Sequence, residues 1–228
     1  YGNWRRGDDY YDEGILIWLG VDVKLRELTH DRRSLDTFAK LFYGMDNGSY
    51  VTKTYTFDDL IKALNTVAPY DWASYLHKLL DDTSDHAPLG GLTASGWKLV
   101  YSTKPNPYEE ARGVIHHFSR TLFSVGFTTN KQGLIGDVLW NSPAFKAGLA
   151  PGMKLISVNG MTFSPKVFLQ EIADSSKPGH GKLAFVASGP GVKATYTFDY
   201  SGGLRYAHLQ RISGAPDYLD QIIAPVKR

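Results

Sequence analysis

The side chains here that could do chemistry are few, and their spacing limits what they can do. The 228-residue chain has seven histidines, His30, His77, His86, His116, His117, His180 and His208, and no cysteine. None of the histidines belongs to an HExxH pair, the spacing that sets two imidazoles on one helix face with a carboxylate between them. The adjacent His116 and His117 are no substitute, because neighbours on a strand face opposite ways and cannot easily share a tetrahedral ion. No Ser–His–Asp nucleophile motif and no phosphate-cradling glycine loop occurs, since the glycines are accounted for as turns. The chain is therefore expected to bind no metal by itself. A backbone site remains: Ser124, Val125, Gly126 and Phe127 are expected to form a loop with outward N–H groups, a nest suited to a carboxylate or an extended peptide. At Gly126 a Cβ would crowd such a ligand.

The elements that must position this loop follow it directly. Leu134 to Trp140 reads as a buried strand, and Asn141-Ser142-Pro143-Ala144 as a helix N-cap with proline in the first turn. A short helix, Ala144 to Ala147, ends at Gly148, and Leu149 to Gly152 turns the chain into Met153–Val158, which alternates apolar inward and polar outward. Asn159-Gly160 closes a tight hairpin. Ser164-Pro165 then opens an amphipathic helix carrying Val167, Phe168, Ile172 and Ala173. The ordered run SPAxxAGLxPGxxLxxVNG resembles a PDZ domain. That resemblance implies a groove beside the strand after Phe127, with Val125, Phe127, Phe168 and Ile172 as its apolar floor. An extended peptide would add there as a strand and take hydrogen bonds from Gly126 and Phe127. The same groove could instead be closed by Phe163 or by the segment Ile222 to Arg228.

Composition bounds the rest. Apolar residues at 43%, charged at 21% and aromatic at 13% describe a globular chain, and its length suggests one or two domains, of which two is the reading adopted. No apolar run reaches the roughly 20 residues that span a bilayer. Net charge is +2, but residues 1–85 carry 10 Lys and Arg against 15 Asp and Glu, and residues 86–228 carry 15 against 8. Such asymmetry fits two mutually attracting domains. The basic residues are scattered singly, which argues against nucleic acid as a partner. Zero cysteines exclude a disulfide framework and fit cytoplasm or periplasm alike. With no signal peptide and no initiator methionine at Tyr1, the chain is expected to be a fragment of a larger protein.

The chain in order is expected to be α+β: helices over residues 1–85, a PDZ-like small antiparallel β-barrel with two helices over 86–212, and a short helix and tail over 213–228. The leading loop runs from Tyr1 to Asp12, with Asp8-Asp9 favouring a helix N-terminus. From Tyr11, the residues Ile15, Trp18, Leu19, Val21, Asp22, Leu25 and Leu28 predict a nearly all-round apolar helix ending near Thr29, which argues for burial in a larger body. Gly14 and Gly20 would allow close packing in it. Ser34, Thr56 and Asp71 open three more helices, with Gly44 and Pro69 as stops. Trp97 to Ser102 alternates as a strand, whereas Lys104-Pro105-Asn106-Pro107 reads as irregular. Leu183 to Ala187, Ala194 to Tyr200 and Leu204 to Ile212 are strands, and Asp217 caps a last helix, Tyr218 to Ile223.

Several of these marks occur together in one known order: Tyr10-Tyr11-Asp12-Glu13-Gly14, Ser34-Leu35-Asp36, Gly96-Trp97-Lys98-Leu99-Val100-Tyr101, the PDZ run, Asp199 to Tyr206, and Pro216-Asp217-Tyr218-Leu219. The chain resembles the C-terminal portion of a bacterial glycyl-aminopeptidase-type zinc metallopeptidase, in which a thermolysin-like catalytic domain precedes a PDZ domain. The resemblance implies zinc held by an HExxH helix and a glutamate that this chain lacks, in a missing N-terminal catalytic portion. It also implies that Tyr11, in the motif position of a YxKG-like tyrosine, donates to the oxyanion on the scissile carbonyl. Glu13 replaces the lysine common there. The bland reading makes Tyr10 and Tyr11 packing aromatics at a helix start.

Three readings follow. The first is a fragment of a zinc aminopeptidase, inactive alone, whose PDZ domain binds or presents peptide. The second is a non-catalytic PDZ adaptor. The third is a structural domain whose groove is filled by its own chain. The compartment is left open between the periplasm and cytoplasm of a bacterium.

Overall fold

In the computed structural model, which describes residues 9–84, 86–116, 118–119 and 121–225, the polypeptide forms two units. Among the described residues, one combines 9–98 with 210–225, and the other is Leu99–Leu209.

The helical unit opens with α1 (Asp9–Thr29), followed by α2 (Leu35–Tyr43), α3 (Phe57–Val67), α4 (Trp72–Leu80) and α5 (Gly90–Ala94). The starts are set by local chemistry. Ser34 accepts from the Asp36 N–H while Thr37 returns a side-chain contact to the Ser34 N–H, and Thr56 and Asp59 form the same reciprocal box at α3. Asp71 caps α4 by accepting from the Ser74 N–H. The core joins Val21 and Leu25 of α1 to Phe38, Leu64 and Trp72. Trp72 is fully buried, and its indole N–H donates to the Ala68 carbonyl at 2.9 Å, so its polar end is satisfied. Buried Asp22 accepts from Arg26 Nε at 3.1 Å and from the Leu35 N–H at 3.0 Å, tying α1 to the start of α2.

Only part of the apolar surface of α1 is covered. Val21 and Leu25 are fully buried, whereas Ile15 is 67% exposed. The two glycines of α1 also differ in use. A Cβ on Gly91 would lie 2.6 Å from the Cα of Gly20, so α1 and α5 meet backbone to backbone, while a Cβ on Gly14 would meet nothing within 4 Å. Close packing is thus the business of Gly20 and not of Gly14.

The second unit holds most of β1 (Trp97–Ser102), then α6 (Pro107–His116), β2 (Phe118–Ser119), β3 (Phe127–Asn130), β4 (Ile135–Val138), α7 (Pro143–Lys146), β5 (Lys154–Val158), β6 (Met161–Thr162), α8 (Pro165–Asp174), β7 (Leu183–Gly189), β8 (Val192–Phe198) and the first part of β9 (Tyr206–Arg211). Strands β2-β3-β4 form one antiparallel sheet, β6-β5-β7-β8 another, and β1 pairs with β9. The fold is α+β, and the first two sheets do not close into a barrel: they meet at a bridge between Leu134 and Lys154. Val158 and Met161 face each other across the turn, with Asn159 at φ 46° and Gly160 at φ 81°, as a tight hairpin demands.

α6 departs from the sequence reading. Asn106 accepts from the Glu109 N–H at 2.8 Å and Pro107 occupies the first helical position. His116 therefore ends a helix and does not lie on a strand, and His117 falls outside the described residues. The chain re-enters the helical unit within β9 and closes with α9 (Tyr218–Ile223). There Asp217 caps α9, accepts from the Trp97 indole N–H at 2.9 Å and pairs with Arg211 at 3.1 Å. By contact grouping, residues 86–98 and 210–225 go with the helices.

The contact between Gly20 and Gly91 gives a test. Gly91→Ala is expected to cost about 1–3 kcal/mol by forcing two backbones apart, while Gly90→Ala, where a Cβ meets nothing within 4 Å, is expected to be near neutral. Urea unfolding followed by tryptophan fluorescence reads both, and equal effects would remove the contact from its role.

Candidate functional site

Of the N–H groups in the loop expected to capture a carboxylate, those of Ser124 and Gly126 are already engaged. The N–H groups of Ser124 and Gly126 both donate to the carbonyl of Thr121, at 3.0 and 3.3 Å. Thr121 is fully buried, and its hydroxyl donates in turn to the Phe127 carbonyl. Gly126 has φ +91°, and a Cβ on it would lie 2.2 Å from Ser142. The glycine is thus required by the chain's own Ser142, which is a different neighbour from the ligand expected of it.

The groove floor is assembled and covered. Val125, Phe127, Phe168 and Ile172 come together with each side chain 0% exposed, and the Phe127 and Phe168 rings lie 5.4 Å apart. Leu204 packs on the same cluster. Its backbone is pinned on both sides: the Gly203 N–H donates to Ser175 Oγ at 3.2 Å and the Arg205 N–H to Ser124 Oγ at 3.0 Å. Phe163 also packs on the cluster, 6.0 Å from the Phe168 ring. Ile222 and Ile223 belong to the other unit, and residues 226–228 lie outside the described residues.

The edge of β3 is occupied at Thr129 and Asn130. β4 pairs along one side, and β2 pairs along the other with Phe118 opposite Asn130 and Ser119 opposite Thr129. The Asn130 N–H donates to Leu134 on the β4 side at 3.0 Å. Backbone groups alternate along an antiparallel strand, so Thr129 turns its own N–H and C=O toward β2. Sequence reasoning missed β2, because two residues offer no period to read.

Tyr11 lies in the other unit, near the start of α1. Its ring is 4.2 Å from that of Tyr10, and both are more than 60% exposed, at 64% and 62%. The hydrogen bond with Tyr11, and secondarily burial, raises the Tyr10 hydroxyl above the ordinary tyrosine pKa, so Tyr10 stays neutral well beyond neutral pH. Tyr11, Ile15, Trp18, Phe38, Leu219 and Ile222 help line a groove of about 650 Å³ with largely apolar walls. It offers a phenol beside apolar surface, an arrangement that can donate one hydrogen bond while excluding water from one side. Among the described residues no three His, Asp or Glu side chains are grouped as a metal site requires.

The sequence matches no family model and no curated protein. Among solved structures it is similar to the aminopeptidase N family protein from Idiomarina loihiensis, with a TM-score of 0.64 at 18% identity over 95% of this chain and 36% of that one. The chain thus spans 36% of the length of that protein. At this identity the likeness is one of fold. An HtrA3 PDZ domain bound to a phage-derived ligand (FGRWV) matches at TM-score 0.24 and 14% identity, over 52% of this chain and 96% of that one. A PDZ domain protein from Parabacteroides distasonis matches at 0.28 and 13%, over 72% and 43%. Superpositions that slight carry no argument.

Tyr200 packs against the same cluster. Its hydroxyl donates to the Gly203 carbonyl at 2.7 Å, and burial, against weaker opposing effects of Arg205 and Ser124, raises its pKa. Below the ordinary tyrosine pKa of about 10, folded and unfolded chains both keep the proton and stability is complete. As pH rises further the unfolded chain ionises first, so stability falls until the folded pKa is passed. Melting temperatures between about pH 9 and 11 are expected to drop less steeply in Tyr200→Phe than in the unaltered chain. Identical slopes would place Tyr200 outside this linkage.

Proposed function

We propose that the chain is the C-terminal portion of a zinc metallo-aminopeptidase, in which the helical unit completes the catalytic domain and Tyr11 donates its phenolic proton to the oxyanion on the scissile carbonyl. The observation that carries this reading is the fold likeness to an aminopeptidase N family protein over 95% of the chain, with Tyr11 left accessible at an apolar groove. A neutral O–H aimed at developing charge stabilises the transition state more than the ground state, and one such donor contributes about 3–4 kcal/mol in a site closed to water. Exposed Tyr11 reaches that value only when the remainder of the catalytic domain covers the groove. Tyr10, hydrogen-bonded to Tyr11, orients it.

Zinc in the intact protein would be bound by residues outside those described here, as would the general base. Alone, the chain turns over no aminoacyl substrate. The adaptor reading requires an open edge on β3, and β2 in that place weighs against it.

In the intact parent enzyme Tyr11→Phe is expected to lower kcat by about 10²–10³ with zinc content unchanged, since it removes a donor and no ligand. Steady-state kinetics with elemental analysis reads both, and a near-normal kcat would return Tyr11 to the packing aromatics.

A further inference from the structure

The sheet β6-β5-β7-β8 ends differently on its two sides. On one side lies β6, two residues long, and on the other lies β8, seven residues in unbroken register with β7 and without proline or bulge. Natural edges are blunted by shortness, proline, bulges or inward-pointing charge, and β8 has none of these. Its main-chain groups divide between two sides. Ala184 of β7 turns both its N–H and its C=O toward Asn159, the N–H to the side-chain oxygen and the C=O to the Asn159 N–H, each at 2.8 Å. Ala184 lies opposite Thr197, so the alternation of an antiparallel ladder turns the N–H and C=O of Thr197 away from β7, and those of Thr195 and Lys193 with them. No described residue takes these groups.

We infer that this edge is a self-association surface, on which β8 of a second copy of the chain pairs antiparallel about Tyr196. Side-chain chemistry selects both the occupant and the register. Lys193, Thr195, Thr197 and Asp199 are exposed, whereas Ala194, Tyr196 and Phe198 are partly covered, so alternate residues share the solvent face. A two-fold axis normal to the sheet keeps each face on its own side, and residues of one face therefore meet residues of the same face. Centred on Tyr196, Lys193 falls opposite Asp199 of the second copy and Thr195 opposite Thr197 of the second copy, and symmetry repeats both pairs. Opposite charges and threonine pairs are cross-strand neighbours that favour a sheet. Centred instead on Thr195 or Thr197, Lys193 falls opposite Thr197 or Ser201, and the pairing of opposite charge is lost. Asp199 also faces Lys182 of its own chain at 3.5 Å, so the Tyr196 register continues an alternation of charge from one copy into the next. The outward N–H and C=O groups of Lys193, Thr195 and Thr197 all find partners in it.

Sedimentation velocity of the whole chain is expected to show a monomer–dimer equilibrium that moves toward dimer as concentration rises. Thr195→Pro removes an N–H that faces away from β7, so it spares the ladder within the chain and is expected to weaken the dimer at least about tenfold. Should that variant fold poorly, charge decides. Lys193→Glu sets like charges opposite one another at both symmetry-related positions, as does Asp199→Lys, and each is expected to raise the dimer dissociation constant at least about tenfold. Mixed in equal amounts, the two variants again place opposite charges at both positions, and they are expected to associate with each other about as well as the unaltered chain does with itself. A chain that stays monomeric up to about 1 mM overturns the proposal. A dimer indifferent to Lys193→Glu lies on another surface and overturns it too, as does a mixture of the two variants that fails to associate.

Discussion

Buried backbone groups must be paired, and the architecture of the β unit is largely the record of how this chain pairs them around Phe127. A free N–H or C=O beside a fully buried phenylalanine would carry a desolvation cost of about 1–3 kcal/mol, and the surrounding elements each remove one such cost. β4 takes one side of β3 and β2 the other, Thr121 takes the loop donors, and Ser142 closes over Gly126. Phe127, Phe168 and Phe185 can then pack as a dry cluster.

The helical unit is organised differently. Its elements are set by side-chain caps at helix starts and by the backbone contact of Gly20 with Gly91, and the uncovered face lies on α1 around Tyr11 and Ile15. The result is a finished core on one side of α1 and an apolar groove on the other.

What was legible in the sequence was local. Ser34, Thr56, Asp71, Ser164 and Asp217 each cap the helix that follows, since a cap and its N–H partners lie within a few residues of one another. The same logic was present at Asn106-Pro107 with Glu109, but two prolines so close together read as a break and α6 went unseen. What was not legible depended on distance along the chain. Phe168 and Ile172 could be named as apolar partners of Phe127, yet their covering comes from a segment anchored through Arg205 to Ser124, 81 residues apart. The need for glycine at 126 was readable; that its neighbour is Ser142 was not. Tyr11 has no local signal beyond its aromatic ring, and only a resemblance singles it out.

Native-state hydrogen exchange at Ser124, Gly126 and Thr129, read by NMR in the unaltered chain, probes the self-pairing of the groove most directly. If Thr121 and β2 hold these donors, all three amides exchange at least about tenfold more slowly than in an unstructured peptide. Exchange of Gly126 and Thr129 at the unstructured rate, while Phe185 in β7 stays protected, would mean that the loop and the β3 edge are open and that the groove is free for a ligand.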